Sequence, residues 1–241
     1  MICLRKGLTI SLIICIILCG VSQLLIPVIA GQTVETKLKT ALASDEVNVS
    51  VSSMPGILLL FGEIDTIHAT AKNGMLGNIR CSQLVLDGKN VQADLSSLDV
   101  KDGSAITAAD SLTLTATITQ DDLQKFLQEK LGKVENLTVT LRNDRAVANG
   151  EIKLLGKKAD VTLEGIFFRE IGMVYFKMTH LDIQNAVLGR AVVGNFFGDI
   201  LVLDLHSLAF PAAIESVEQK DGYVVLKANH VEQSATQFFT K

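Results

Sequence analysis

The sequence predicts an α+β protein in which helices lie on a concave antiparallel sheet, behind one apolar N-terminal helix long enough to cross a bilayer. Three observations predict it. A long uncharged apolar run opens the chain, an amphipathic helix signature stands at residues 119–131, and runs of alternating hydrophobicity separated by turn residues fill much of the remainder.

The opening carries two charges, Arg5 and Lys6, and then none from Gly7 to Thr33. Residues 8–30 are enough to span a bilayer as a helix. A cleaved signal peptide competes, because Val28, Ile29 and Ala30 resemble a cleavage site, but the apolar run exceeds the usual ~7–15 residues of such a segment. Lipidation at Cys19 would need a small residue before it, and Leu18 stands there. The favoured reading is an uncleaved signal-anchor over residues 1–31 and a single extracytoplasmic domain over 32–241. Basic residues ahead of the span keep the N-terminus in the cytoplasm and send the domain out. The expected localisation is the cytoplasmic membrane, single-pass.

Composition narrows the function. Arg5 and Lys6 are two of the 22 basic side chains, so 20 face 26 acidic ones in the rest, an acidic balance with no basic patch for nucleic acid. Cys3, Cys15 and Cys19 lie in or before the apolar run, which leaves Cys81 alone in the domain. An intramolecular disulfide there, a four-cysteine zinc site and a CxxC redox motif are all excluded.

After the apolar run, Val34, Leu38, Ala41 and Leu42 keep a helical stripe and predict a short amphipathic helix at the membrane exit. Val47, Val49 and Val51 alternate as a strand. Residues 57–61, ILLLF, are unbroken apolar sequence between Gly56 and Gly62, and read either as a strand buried on both faces or as a segment that touches lipid. Turns are expected at Asn73-Gly74, Asp87-Gly88 and Asp102-Gly103, with strands between them. Leu112, Leu114, Ala116 and Ile118 then alternate with threonines that form an exposed sheet face.

The helix at 119–131 is the most self-consistent stretch. Thr119 and Asp122 have capping-box spacing, Leu123, Phe126, Leu127 and Leu131 form one stripe, and Gly132 is placed to end the helix in left-handed backbone. A meander follows: Leu137, Val139 and Leu141, a turn at Asn143-Asp144, then Ala146, Ala148, Gly150, Ile152 and Leu154. A second turn at Gly156 to Lys158 leads into Val161, Leu163 and Gly165. Residues 173–179 are apolar on both faces, as in a central strand. Residues 185–201, NAVLGRAVVGNFFGDIL, read as a helix apolar nearly all round, too short and too charged for a second membrane span. Such a helix is either packed in the core or forms the wall of a cavity. A strand containing Pro211, an Asp221-Gly222 turn and a last strand form an edge-like hairpin.

No enzyme motif emerges. His68, His180, His206 and His230 are far apart and none has metal-ligand spacing, and there is neither a glycine-rich phosphate loop nor a G-x-S-x-G elbow. Asp204 and His206 share a strand face, which reads as a solvated face, and His180 reads as a strand-end hydrogen bonder. The expectation is a non-enzyme with no catalytic residue, no metal and no cofactor.

The order of segments then resembles a known family. SMPGILLLFGEIDTIHATAKNGMLGNIRCSQLVLDGKNVQADL (53–95), SLTLTATITQDDLQKFLQ (111–128), the meander, MTHLDIQNAVLGRAV (178–192) and LHSLAFPAAIESVEQKDGYVVLKA (205–228) are similar to the LmeA-like phospholipid-binding family of bacterial envelope proteins. The likeness covers roughly residues 33–230, and its clearest markers are Thr119-x-x-Asp122-Leu123 and the closing strand pair around Asp221-Gly222. The resemblance implies an elongated, curled antiparallel sheet wrapped around helices, similar to tubular lipid-binding folds, holding phospholipid acyl chains on the periplasmic or cell-wall side. It supplies no catalytic motif. The partners expected are phospholipid and membrane, without nucleic acid and with no protein partner identified. The lipid-contacting residues expected are Val193, Phe196, Phe197 and Ile200, with Leu58 and Leu60 of the apolar run. The alternative is a structural or interaction protein of the envelope with a fully packed core.

Overall fold

The computed structural model describes residues 2–94, 106–132, 134–154, 157–170, 172–184, 199–205, 208 and 211–231. The chain starts with α1 (Ile2–Ala41), then β1 (Glu46–Ser52), a 3-10 turn (Gly56–Phe61), β2 (Glu63–Leu76), β3 (Ile79–Ala93), β4 (Ile106–Thr119) and α2 (Gln120–Lys130). It continues with β5 (Val134–Leu141), β6 (Ala146–Leu154), β7 (Lys157–Glu170), β8 (Met173–Gln184), β9 (Ile200–Asp204), β10 (Ala212–Lys220) and β11 (Tyr223–His230).

Among the described residues the strands form two antiparallel sheets where a single one was expected. One has the order β1-β2-β3-β4-β11-β10 and the other β5-β6-β7-β8-β9. The division comes from pairing at long sequence distance: β11 returns to β4, with Val224 opposite Ile118 and Leu226 opposite Ala116, and so completes the first sheet across the whole second one. Alternation explains the shared interior. Leu112, Leu114, Ala116 and Ile118 of β4 and Val161 and Leu163 of β7 are all buried in one continuous apolar core. The outer faces are polar, as where Lys153 and Lys158 pair with Glu135 and Glu151 across neighbouring strands.

The helix α2 joins the sheets. Thr119 and Asp122 make the capping box, and Leu123, Phe126 and Leu127 are buried. Its end differs from expectation: Leu131 caps it at φ −99° and ψ 48°, and Gly132 is not left-handed. The backbone N–H of Val134 instead turns back onto the Leu131 carbonyl, which brings the chain straight into β5. At the far end, the β5–β6 turn meets the β10–β11 turn, where the backbone N–H groups of Asn143 and Asp221 each donate to the other's side chain at 3.1 Å.

Two expected turns are interior to strands. Asn73 has φ 54°, a left-handed conformation that asparagine tolerates, but the β2–β3 ladder keeps its register on both sides and the chain reverses only after Leu76. Gly88 lies within β3 because a Cβ there would stand 2.7 Å from Ile67 Cγ2 and 2.8 Å from Leu112 Cδ1, so its glycine serves close packing. The expected turn at 102–103 lies outside the described residues.

Residues 57–61 are not a strand. They form the 3-10 turn, ended by Gly62 at φ 79°, where a Cβ would collide with the Ala93 carbonyl. The expected separate exit helix is instead the last part of α1, which runs unbroken to Ala41. Its last turns are continuous because Leu38 and Leu42 pack against the core while Glu35 and Lys39 pair at 2.7 Å on another face. No helix among the described residues is long and apolar enough to cross a membrane.

Among the described residues, strand β8 is flanked on both sides only over Met173 to Phe176, where β9 pairs with it, and His180 lies exposed inside the strand and not at its end. Residues 185–198 and His206 lie outside the described residues, and Ile200 and Leu201, expected at the end of a helix, begin β9. Ile200 is opposite Phe176, so sheet pairing overrides the helical period there. The final hairpin forms with β10 at the sheet's edge, but Pro211, expected inside the strand, stands just before β10, and β11 lies inward, paired with β4.

Candidate functional site

Between the end of α1 and the inner face of the six-stranded sheet lies a partly open cavity of about 190 Å³. Helical spacing brings Leu38, Ala41 and Leu42 to one wall. The opposite wall is built from alternate positions of successive strands: Val47 of β1, Ala69 and Ala71 of β2, Leu84 and Leu86 of β3, and Leu114 of β4. The space exists because β2 places Ala69 and Ala71 where β1 places Val49 and Val47 and β3 places Leu86 and Leu84. Among the described lining residues, Thr70 alone carries a hydroxyl.

A narrower gap of about 10 Å³ continues the apolar lining between the two sheets. It shares Leu76 and Leu114 with the first cavity and adds Val174, Leu203 and Leu205 from the second sheet's side. Lys227 of β11 borders this gap, between the buried Leu226 and Ala228, but no polar atom of the described residues lines it.

The chemistry of the arrangement is apolar reception. An engineered apolar cavity of about 150 Å³ stays dry and takes up a small hydrocarbon, whereas whole drug-sized ligands need roughly 300–1,000 Å³. A space of 190 Å³ therefore fits a segment of an alkyl chain and not an entire lipid. No group of three or more His, Cys, Asp or Glu among the described residues is arranged to hold a metal ion. Cys81 is fully buried on β3, and its burial, with the Asp122 carboxylate adding to the effect, pushes the thiol up to about 12.

Of the residues expected from sequence, the described ones, Leu58, Leu60 and Ile200, do not line this cavity. Leu58 and Leu60 sit on the 3-10 turn, half-buried and exposed respectively, while Ile200 is half-buried in β9 of the other sheet. Val193, Phe196 and Phe197 lie outside the described residues. What sequence reasoning missed is the cavity itself. Its signal is the Ala69 and Ala71 pair, small residues at alternate positions of a strand beside leucine-rich ones, together with a helical stripe at Leu38 and Leu42.

Comparison with curated proteins and with solved structures returned no match. A sequence profile described as LmeA-like phospholipid-binding matches residues 21–229. That match takes in α1 from residue 21, both sheets and every described wall of the cavity, and the chain belongs to the LmeA-like phospholipid-binding family.

Proposed function

We propose that this chain is a membrane-anchored extracytoplasmic protein that holds a phospholipid acyl chain in the cavity between α1 and the six-stranded sheet, for envelope lipid transfer or maintenance. The observation that carries the reading is the cavity: an apolar, partly open space of about 190 Å³ in a member of a phospholipid-binding family. Burial of an acyl chain contributes ~0.8 kcal/mol per methylene and needs no reactive group. The apolar run at 8–30 supplies the anchor, with Arg5 and Lys6 on the cytoplasmic side. Val193, Phe196, Phe197 and Ile200 are proposed as further contacts of the acyl chain, and Leu58 and Leu60 as contacts with lipid at the domain's surface.

A phospholipid carrying a photoactivatable group near the end of one acyl chain tests this on the full-length protein. Cross-links should concentrate on peptides containing Leu38 to Leu42 and Ala69 to Leu76. Labelling confined to residues 8–30, as for any anchor in a bilayer, would contradict an acyl-binding cavity.

A further inference from the structure

The 3-10 turn is the most apolar exposed surface in the described part of the domain. Met54 is 78 % exposed, Leu60 61 % and Phe61 73 %, with Ile57 beside them. A soluble face gains nothing from presenting four large apolar side chains on a six-residue turn and its approach, and such clusters mark contact surfaces. The turn is also held rigidly in that pose. Gln23 of α1 accepts the backbone N–H of Gly56 at 2.6 Å through its carbonyl oxygen and donates from its amide to the Ser53 carbonyl at 3.0 Å. Asp65 accepts the Met54 N–H at 2.7 Å from the other side, and the backbone of Gly62 bonds that of Ala93.

Gln23 fixes the turn beside one particular part of α1. The residues that follow it, Leu24, Leu25, Val28 and Ile29, are themselves 54–74 % exposed. The turn and this stretch thus form one exposed apolar surface at a common level, and the chain is without charge from Gly7 to Thr33 on the helix side. The near strands add Glu63 and Asp65 but no lysine or arginine between residues 46 and 71. Among the described residues this surface has apolar anchors, the carboxylates of Glu63 and Asp65 and one nearby lysine, Lys89 of β3 opposite Thr66, so its chemistry suits the acyl and interfacial region of a bilayer and does not select anionic headgroups.

We propose that the 3-10 turn is an interfacial wedge: Met54, Ile57, Leu60 and Phe61 insert into the outer leaflet beside α1 and fix the height and orientation of the domain on the membrane. Leu38 lies nine residues beyond Ile29, about 14 Å along a helix, which puts the cavity just outside the headgroup layer, within reach of an acyl chain leaving the leaflet. The wedge rests on α1 being a membrane anchor but not on what fills the cavity.

The natural sequence has no tryptophan, so a single one reports its own surroundings. Full-length Phe61→Trp and, as a control on the β10–β11 hairpin, Tyr223→Trp are reconstituted into phosphatidylcholine vesicles that carry quenchers at shallow or deep acyl positions. The wedge predicts blue-shifted emission from Phe61→Trp, quenched severalfold more by the shallow quencher than Tyr223→Trp is, and unchanged by 0.5 M salt or by added anionic lipid. Protein that floats with vesicles while Phe61→Trp stays open to an aqueous quencher would overturn the wedge and leave the anchor standing. Protein that does not float with vesicles would overturn both. Blue-shifted emission untouched by lipid-borne quenchers would assign the surface to a second copy of the chain and overturn the wedge. A second variant, Leu60→Trp, repeats the reading if Phe61→Trp misfolds.

Discussion

The side-chain carbonyl of Gln124 accepts the backbone N–H of Val139 at 3.1 Å. Val139 belongs to β5, the free edge of the five-stranded sheet, and Gln124 is the middle one of three glutamines on α2 that treat this edge alike. Gln120 accepts from the Leu141 N–H and Gln128 donates to the Val134 carbonyl, each at 3.1 Å. Spaced four residues apart, the three lie along one line of the helix and cover an edge that would otherwise present unpaired backbone groups. The same helix buries Leu123 and Leu127 in the core between the sheets, so the junction is both stitched and packed.

Removing one stitch leaves a partly buried N–H without its partner. Gln124→Ala should destabilise the protein by about 1–3 kcal/mol in urea unfolding, and Gln124→Glu, which keeps an acceptor, should cost less. Equal losses for the two would mean that packing, and not the hydrogen bond, is what Gln124 provides.

Phe126 is 3 % exposed and Lys125 lies on the solvent side of α2. Phe126→Ala should therefore cost about 3–5 kcal/mol, with Lys125→Ala and Glu129→Ala close to neutral. Thermal or chemical denaturation of the three variants checks the contrast.

The Cys81 thiol is raised from 9.0 to about 12 by burial, so the folded state holds its proton more tightly than the unfolded one. Its contribution is fully present below pH 9 and should fade as pH rises from 9 towards 12, where the unfolded chain releases the proton first. At pH 8 a thiol reagent should leave Cys81 unmodified in the folded protein and modify it rapidly in denaturant. Rapid labelling under native conditions would contradict the burial.

Phe197 is proposed to contact the acyl chain. Phe197→Ser should then lower lipid retention more than it lowers the melting temperature of the delipidated protein. Collapse of the lipid-free fold, or undiminished lipid binding, would remove Phe197 from the lipid path.

Local rules carried much of this fold and little of its site. The α2 capping box and stripe, the strands of the meander with its Asn143-Asp144 turn, and the Asp221-Gly222 hairpin each depend on residues close together in sequence, and they stand as the sequence predicts; Lys157 and Lys158, expected in the second meander turn, instead already pair with Leu154 and Lys153 as the start of β7. Asn73 also has the left-handed backbone its identity favours, but whether a chain reverses at such a residue is decided by the strand beside it. The apolar run at 57–61 has no period to distinguish a buried strand from an exposed turn, and Gln23, 33 residues from Gly56, selects the turn. The cavity depends on an alignment of Ala69 and Ala71 with Leu38 and Leu42 that arises only when α1 docks on the sheet.

A chain-length series tests the central claim most directly. Phosphatidylcholines with acyl chains of increasing length displace a fluorescent acyl probe from the full-length protein in a fixed detergent background, with wild type compared to Ala71→Leu. Ala71 is 3 % exposed and lines the cavity, so the larger side chain takes space from the ligand. For wild type the affinity should rise about fourfold per methylene until the cavity is full and then level off, while Ala71→Leu should level off at a shorter chain. The same dependence in both proteins, or no dependence on chain length, would contradict an acyl chain held between α1 and the six-stranded sheet.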